Sequence, residues 1–218
     1  MTRAEIADLV TRKLQRTDTD TLALAKDFVT RRYEMIWDEC VWRDSLMTES
    51  QSVTEGTSTV LLDNTMDFPV AVRWEKHEVL PIDHETVFKL DPEVFERTGT
   101  PMRFIRLSEV SGQARIQLLE KPDKDGTLLI LGKEKITPMN EDGDSPRLHG
   151  VTNTLIAFVE HDLLQYDRQF GKAQVKQQEA SALLTKMQHI ESYQEARIQQ
   201  IIPVEQGIHG HMSDIGYR

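Results

Sequence analysis

The hydrophobic period of this chain changes twice: apolar residues recur at three- and four-residue steps, then at two, then at three and four again. A helix cannot keep a two-residue repeat on one face and a strand cannot keep a 3.6-residue one, so the order helix, strand, helix is predicted. Thr2 followed by Glu5 is a capping-box pattern, opening a first helix with Ile6, Leu9, Val10 and Leu14 on its apolar side. The polar run Arg16-Thr-Asp-Thr-Asp20 separates it from a second helix, predicted from about 20 to 47, whose seam is Leu22, Ala25, Val29, Ile36 and Cys40.

Phe68, Val70, Val72 and Trp74 then alternate with Pro69, Ala71, Arg73 and Glu75, the repeat of a half-buried strand. The β-rich segment 57–62 and the turn Asp63-Asn-Thr65 before it predict a hairpin. Segments 104–107, 115–119 and 128–131 read as further strands, separated by Ser111-Gly112 and Pro122-Asp-Lys-Asp-Gly126. The acidic, glycine-containing stretch 140–150 leads out of this unit. Helical spacing returns with Leu155, Val159, Leu163, Tyr166 and Phe170, pauses at Gly171, and resumes from about 173 to 200 on the sparse seam Ala180, Leu183, Leu184, Met187, Ile190 and Ala196. Pro203 ends that register, and 203–218 has three glycines and no period.

Each helix pair has an apolar side too narrow to stand alone. The predicted fold is therefore α+β: an α-helical bundle formed by the N-terminal pair (1–50) and the C-terminal pair (151–202), with an inserted antiparallel β domain (51–150) and a flexible C-terminal arm (203–218).

Charge narrows the function. With 36 acidic and 26 basic side chains, a net charge of -10 and no run of Lys and Arg, the chain is a poor candidate for tight duplex binding. Its one cysteine, Cys40, excludes an internal disulfide and a cysteine zinc cluster, which fits synthesis in a reducing cytoplasm. No run approaches the ~18 apolar residues of a membrane span, and the start is charged where a signal peptide turns apolar, so neither a membrane nor a secreted location is expected.

Catalytic motifs are missing: no phosphate-cradling glycine loop, no G-x-S-x-G, no H-E-x-x-H. Glu160-His161-Asp162 with Asp167 reads as a solvated helix face, because consecutive residues point about 100° apart. His189 and Glu191 do not share a face. His209 and His211, with Asp214, could approach a metal from an extended chain, but a glycine-rich segment supplies no groups to orient the imidazoles. Cys40, beside Asp38, Glu39 and Asp44, reads as a packed, unreactive thiol. Trp37, Trp42 and Trp74 read as core or interface residues rather than as stacking platforms, since no basic cluster accompanies them. No metal, no cofactor and no enzymatic activity is expected.

Several segments carry a resemblance. A short helix precedes a long one containing Tyr33, Ile36 and Trp37; then come Val79-Leu-Pro-Ile-Asp83, Gly99-Thr-Pro-Met-Arg-Phe104, Ile116-Gln-Leu118, Pro122 and the strand 128–131. The return segment 155–173 leads into Glu179-Ala180 and Met187. In this order and spacing the sequence resembles, over nearly its whole length, the head-to-tail adaptor (connector) proteins of tailed bacteriophages, including the tail tubular protein A-like group. The resemblance implies a structural virion protein made in the host bacterial cytoplasm and placed at the neck. About twelve copies would form a ring below the portal protein and above a tail or nozzle protein, with viral DNA passing through without specific contacts. It also implies that the C-terminal arm docks onto the portal, and Ile201, Ile202, Pro203, Val204, Ile208, Ile215 and Tyr217 are the residues expected to do so. A stopper or terminator, expected to be mostly strand and to lack the C-terminal helix pair, is the alternative within structural proteins. A metal-dependent enzyme of DNA packaging is the alternative outside them.

Overall fold

The computed structural model describes residues 1–90 and 94–192. Its elements run α1 (Arg3–Lys13), α2 (Thr19–Glu39), β1 (Leu46–Val53), β2 (Thr59–Leu61), β3 (Met66–Trp74), β4 (His77–Pro81), α3 (His84–Leu90), β5 (Arg103–Val110), β6 (Gln113–Leu118), β7 (Gly126–Glu134), α4 (Val151–Tyr166) and α5 (Phe170–Glu191).

The first helix starts where its sequence says. Glu5 N–H donates to Thr2 Oγ1 (3.2 Å) and Thr2 N–H donates to Glu5 Oε2 (2.9 Å), satisfying two of the orphan donors of a helix start. Asp18 caps α2 by accepting from Thr21 N–H at 2.8 Å, a bond that holds its carboxyl below the usual carboxylate range. The predicted continuation of this helix to residue 47 is not found. Cys40 is extended (φ -159°), and Trp42 N–H and Ser45 Oγ close a tight turn at 3.1 Å that redirects the chain into β1. The signal for β1 is weak because its inward positions, Met47, Glu49, Gln51 and Val53, mix polar with apolar residues.

The seven strands form one sheet in the order β1-β7-β3-β4-β5-β6-β2. It curls until the two edge strands line a common groove, and the Glu49 carboxylate reaches across to accept the Asp63 N–H at 2.9 Å. The sheet holds its own core, including Leu62, Met66, Val72, Trp74, Phe104, Ile116, Leu118, Leu128 and Ile130. The expected hairpin between 57–62 and 68–74 is also corrected: β2 pairs with β6, and β3 with β7 and β4. Register shifts between Met66 and Phe68 and between Pro69 and Ala71 turn Pro69 inward and leave Phe68 half-buried, so the two-residue alternation survives only at Val72 and Trp74. Ser111 (φ 54°) and Gly112 (φ 73°) make the two-residue turn joining β5 and β6, where positive φ matches the twist of the strands.

Gly126 is fixed by close approach. A Cβ placed there would fall inside the Trp74 ring, 2.7 Å from Cη2 and 2.9 Å from Cε2, and Trp74 is fully buried. Gly126→Ala is expected to cost about 1–3 kcal/mol of unfolding free energy in urea titration. An unchanged midpoint would mean that the ring has room to move.

The second core is helical. α4 lies at its centre, packed against α1, α2 and α5, with Val151, Leu155, Val159 and Leu163 buried beside Ile6, Val10, Val29, Ile36 and Trp37. α5 contributes least, burying only Ala173, Ala180 and Met187 over 22 residues. The two cores are joined through the end of β7: Trp37 Nε1 donates to the Glu134 carbonyl (3.3 Å), Arg147 Nη1 to Glu134 Oε1 (2.7 Å), and buried Lys133 faces Asp38 at 3.7 Å.

The predicted fold class is corrected on these grounds. The fold is α+β, but strand-rich, with a seven-stranded, nearly closed sheet that is mixed: β4 and β5 run parallel, Leu80 opposite Arg103 and Pro81 opposite Phe104. The helices gather round one central helix and are bonded into the sheet at β7, rather than forming a bundle of N- and C-terminal pairs that carries an inserted antiparallel domain. A parallel pair needs a crossover, which the segment containing α3 supplies. The arm at 203–218 lies outside the described residues.

Candidate functional site

Glu160-His161-Asp162 on α4 is not the solvated face expected from sequence. Glu160 and His161 are buried and the Asp162 carboxylate nearly so. Because the three point about 100° apart, each meets a different neighbour. Glu160 accepts from Lys13 Nζ of α1 and lies against Lys176 Nζ of α5, each at 2.8 Å. His161 Nδ1–H donates to the Ala173 carbonyl at 2.9 Å, since a carbonyl can only accept. Asp162 takes Arg32 of α2, whose Nε donates to Oδ2 at 2.6 Å while Nη2 bonds Oδ1.

These bonds consume the groups that a catalyst would need free. Burial alone would push the Glu160 carboxyl up; the hydrogen bonds from Lys13 and Lys176 outweigh it and hold the group below the usual carboxylate range. It is ionised near neutrality and is no proton donor there. A carboxyl lowered in the folded state contributes stability above its unfolded pKa of about 4.3, and that stability is lost as pH falls through the folded value. Glu160→Gln is therefore expected to be less stable than the parent at pH 7 and to lose less on acidification. Urea midpoints measured from pH 7 down to pH 3 check this; parallel curves would refute it.

The other sequence candidates stay apart. Burial pushes the Cys40 thiol up to about 11, with Glu39 adding and Lys133 opposing, so the thiolate is scarce at neutral pH. Trp37, Trp42 and Trp74 are core residues, and Trp42 Nε1 donates to the Ile36 carbonyl at 2.8 Å. His189 is exposed. Ile201, Ile202, Pro203, Val204, Ile208, Ile215 and Tyr217, with His209, His211 and Asp214, lie outside the described residues. Among the described residues no group of three or more His, Cys, Asp or Glu side chains is placed to hold a metal, and no helix is long and apolar enough to cross a membrane.

A surface feature escaped the sequence reading. Tyr166 and Phe170, assigned there to an apolar seam, are 68% and 65% exposed, and Val175 is 62% exposed. The cause is the turn between α4 and α5: Arg168 adopts φ 59°, and the N–H groups of Asp167 and Gln169 return to the Leu163 and Leu164 carbonyls at 2.9 and 2.8 Å. This swings both aromatic side chains off the core one turn earlier than a break at Gly171 would. Beside them opens a cleft of about 550 Å³, lined by Leu14, Leu164 and Val175 together with Lys13, Lys172, Lys176 and Asp167. The arrangement suits recognition of a surface, with exposed aromatics as anchors and cations around them.

Neither the scan against protein-family models nor the search of curated proteins finds a match for this chain.

Proposed function

We propose that this chain is a structural virion protein, the head-to-tail adaptor of a tailed bacteriophage. Copies of it form a ring below the portal protein, join the DNA-filled head to the tail or nozzle protein beneath, and leave a channel through which the viral DNA passes. The sequence resemblance suggested this reading, and α5 is the observation that supports it: a 22-residue helix with only three buried residues and exposed apolar groups is made to be covered laterally when copies assemble. The net charge of -10 suits a conduit, because it disfavours retention of phosphates that must move through. The helices α4 and α5 favour this reading over a stopper or terminator, which is expected to lack a C-terminal helix pair.

Labelling decides the matter. Gold-conjugated antibody against this protein should mark the neck of intact particles in electron micrographs, and cells lacking the protein should accumulate filled heads without tails. Label on the capsid shell or the tail tip, or normal tailed particles without the protein, would overturn the proposal.

A further inference from the structure

Lys176, Glu179, Leu183, Met187 and Ile190 recur at three- and four-residue steps and so form one stripe of α5. Along that stripe two cavities, of about 320 and 350 Å³, adjoin through Asn153 and Leu183 and make one groove beside α4. Leu9, Ile156 and Ala157 line it on one side, Leu183, Met187 and Ile190 on the other. At its far end Lys13 and Lys176 both reach Glu160, a bridge from α1 to α5 that marks the boundary with the cleft beside Val175. At its near end Ile190 and Glu191 line the mouth, and the described chain leaves there: Ser192 is buried and bridged to Trp42, with residues 193–218 still to follow. Midway, the exposed Asn153 makes no side-chain hydrogen bond among the described residues, which leaves an amide donor and an acceptor for an incoming backbone.

We infer that residues 198–204 of the same chain lie in this groove, antiparallel to α5. The length fits. From Lys176 to Ile190 the groove runs about 21 Å at ~1.5 Å per helical residue, which an extended chain covers in about six or seven residues. Tyr193 to Arg197 make the return, an ordinary length for a connection. The chemistry fits as well. In an extended chain Ile198, Ile202 and Val204 fall on one side, toward the apolar lining, while Pro203 favours extended backbone and has no N–H to leave unpaired. The occupant is this chain's own segment rather than a second copy's, because its start is fixed at the mouth of the groove. A short tether gives it an effective concentration on the order of millimolar, which another molecule would have to match. Tyr166, Phe170 and Val175 lie past the bridge of Lys13, Glu160 and Lys176 and stay exposed, so this contact neither rests on the ring reading above nor competes with it.

Disulfide trapping in the full chain tests the contact. A chain carrying Leu183→Cys and Ile202→Cys, once oxidised, should form an internal disulfide that shifts its mobility on a non-reducing gel while it stays monomeric. Thr185→Cys with Ile202→Cys controls for tethering alone, because Thr185 is exposed two residues along α5 and so about 200° round it. Ile202→Cys by itself, which retains Cys40 with its thiol pushed up to about 11, checks that the native cysteine takes no part. The internal product from Leu183 should exceed the Thr185 control about tenfold, the equivalent of ~1.4 kcal/mol. Independently, Ile202→Asp should speed amide hydrogen exchange at Leu183 and Met187 about tenfold and leave α2 unchanged. Equal yields from Leu183 and Thr185, or exchange in α5 that Ile202→Asp does not alter, would overturn the inference. So would a linked dimer as the main product when chains carrying Leu183→Cys alone and Ile202→Cys alone are mixed, since that puts a second copy's segment in the groove. No phage component enters the assay: its failure leaves the adaptor reading standing, and absence of neck label leaves this contact standing.

Discussion

Replacing Trp37 with alanine is expected to lower the unfolding free energy by about 3–5 kcal/mol, the range for deleting a fully buried large aromatic. Three layers of contact are lost together. The indole packs edge-on to Tyr33, with centroids 6.1 Å apart and planes at 61°; its Nε1–H donates to the Glu134 carbonyl; and the Arg147 guanidinium lies 6.0 Å over its ring. Tyr33 is held in turn by the Arg147 N–H, which donates to its hydroxyl at 3.1 Å. Trp37 thus fills the helical core and ties it to β7. Trp37→Phe keeps most of the volume but leaves the carbonyl without its indole partner, and should cost only about 1–2 kcal/mol. Urea unfolding followed by far-UV circular dichroism measures both. A loss below ~1 kcal/mol for Trp37→Ala would mean that the helical and sheet cores are not coupled through this residue.

Much of this arrangement was legible in the sequence, and the exceptions have physical causes. Thr2 and Glu5 and the turn Ser111-Gly112 were readable because caps and two-residue turns depend on the chemistry of one or two neighbouring side chains. The three tryptophans are buried, as the absence of an accompanying basic cluster suggested. β1 was missed because Glu49 and Gln51 occupy inward positions, where the closing edge of the sheet uses a carboxylate to satisfy an N–H that no strand covers. The partners of β2 and β3 were missed because pairing between distant segments leaves no mark on either one, and the shifts around Phe68 and Pro69 hide the true inward face. Glu160, His161 and Asp162 looked solvated because local sequence shows their charge but not the Lys13, Lys176, Ala173 and Arg32 groups that meet it. The corner at Tyr166 and Phe170 depends on one positive φ at Arg168, a conformation its residue type does not announce.

The ion pair between Arg32 and Asp162 should show a strong asymmetry between its two members. Arg32 lays its guanidinium on both carboxylate oxygens of Asp162 and stacks on Phe158, its Cζ 4.9 Å from the ring centroid. The carboxylate is the deeper partner, with its side chain 10% exposed against 25% for the arginine. Arg32→Ala therefore strands a nearly buried negative charge against α4, and is expected to cost about 3–5 kcal/mol. Asp162→Asn leaves a cation that can turn toward water, and its cost should be smaller, about 1–3 kcal/mol. The pair Arg32→Ala with Asp162→Asn should be more stable than Arg32→Ala alone, because the stranded charge is gone, and Arg32→Lys should fall between parent and alanine, since an ammonium keeps the charge but neither the fork nor the stacking. A double-mutant cycle from urea midpoints reads the coupling directly. Equal costs for the two single substitutions, or a double variant no better than Arg32→Ala, would show that water reaches Asp162 and that α2 is held on α4 by apolar packing alone.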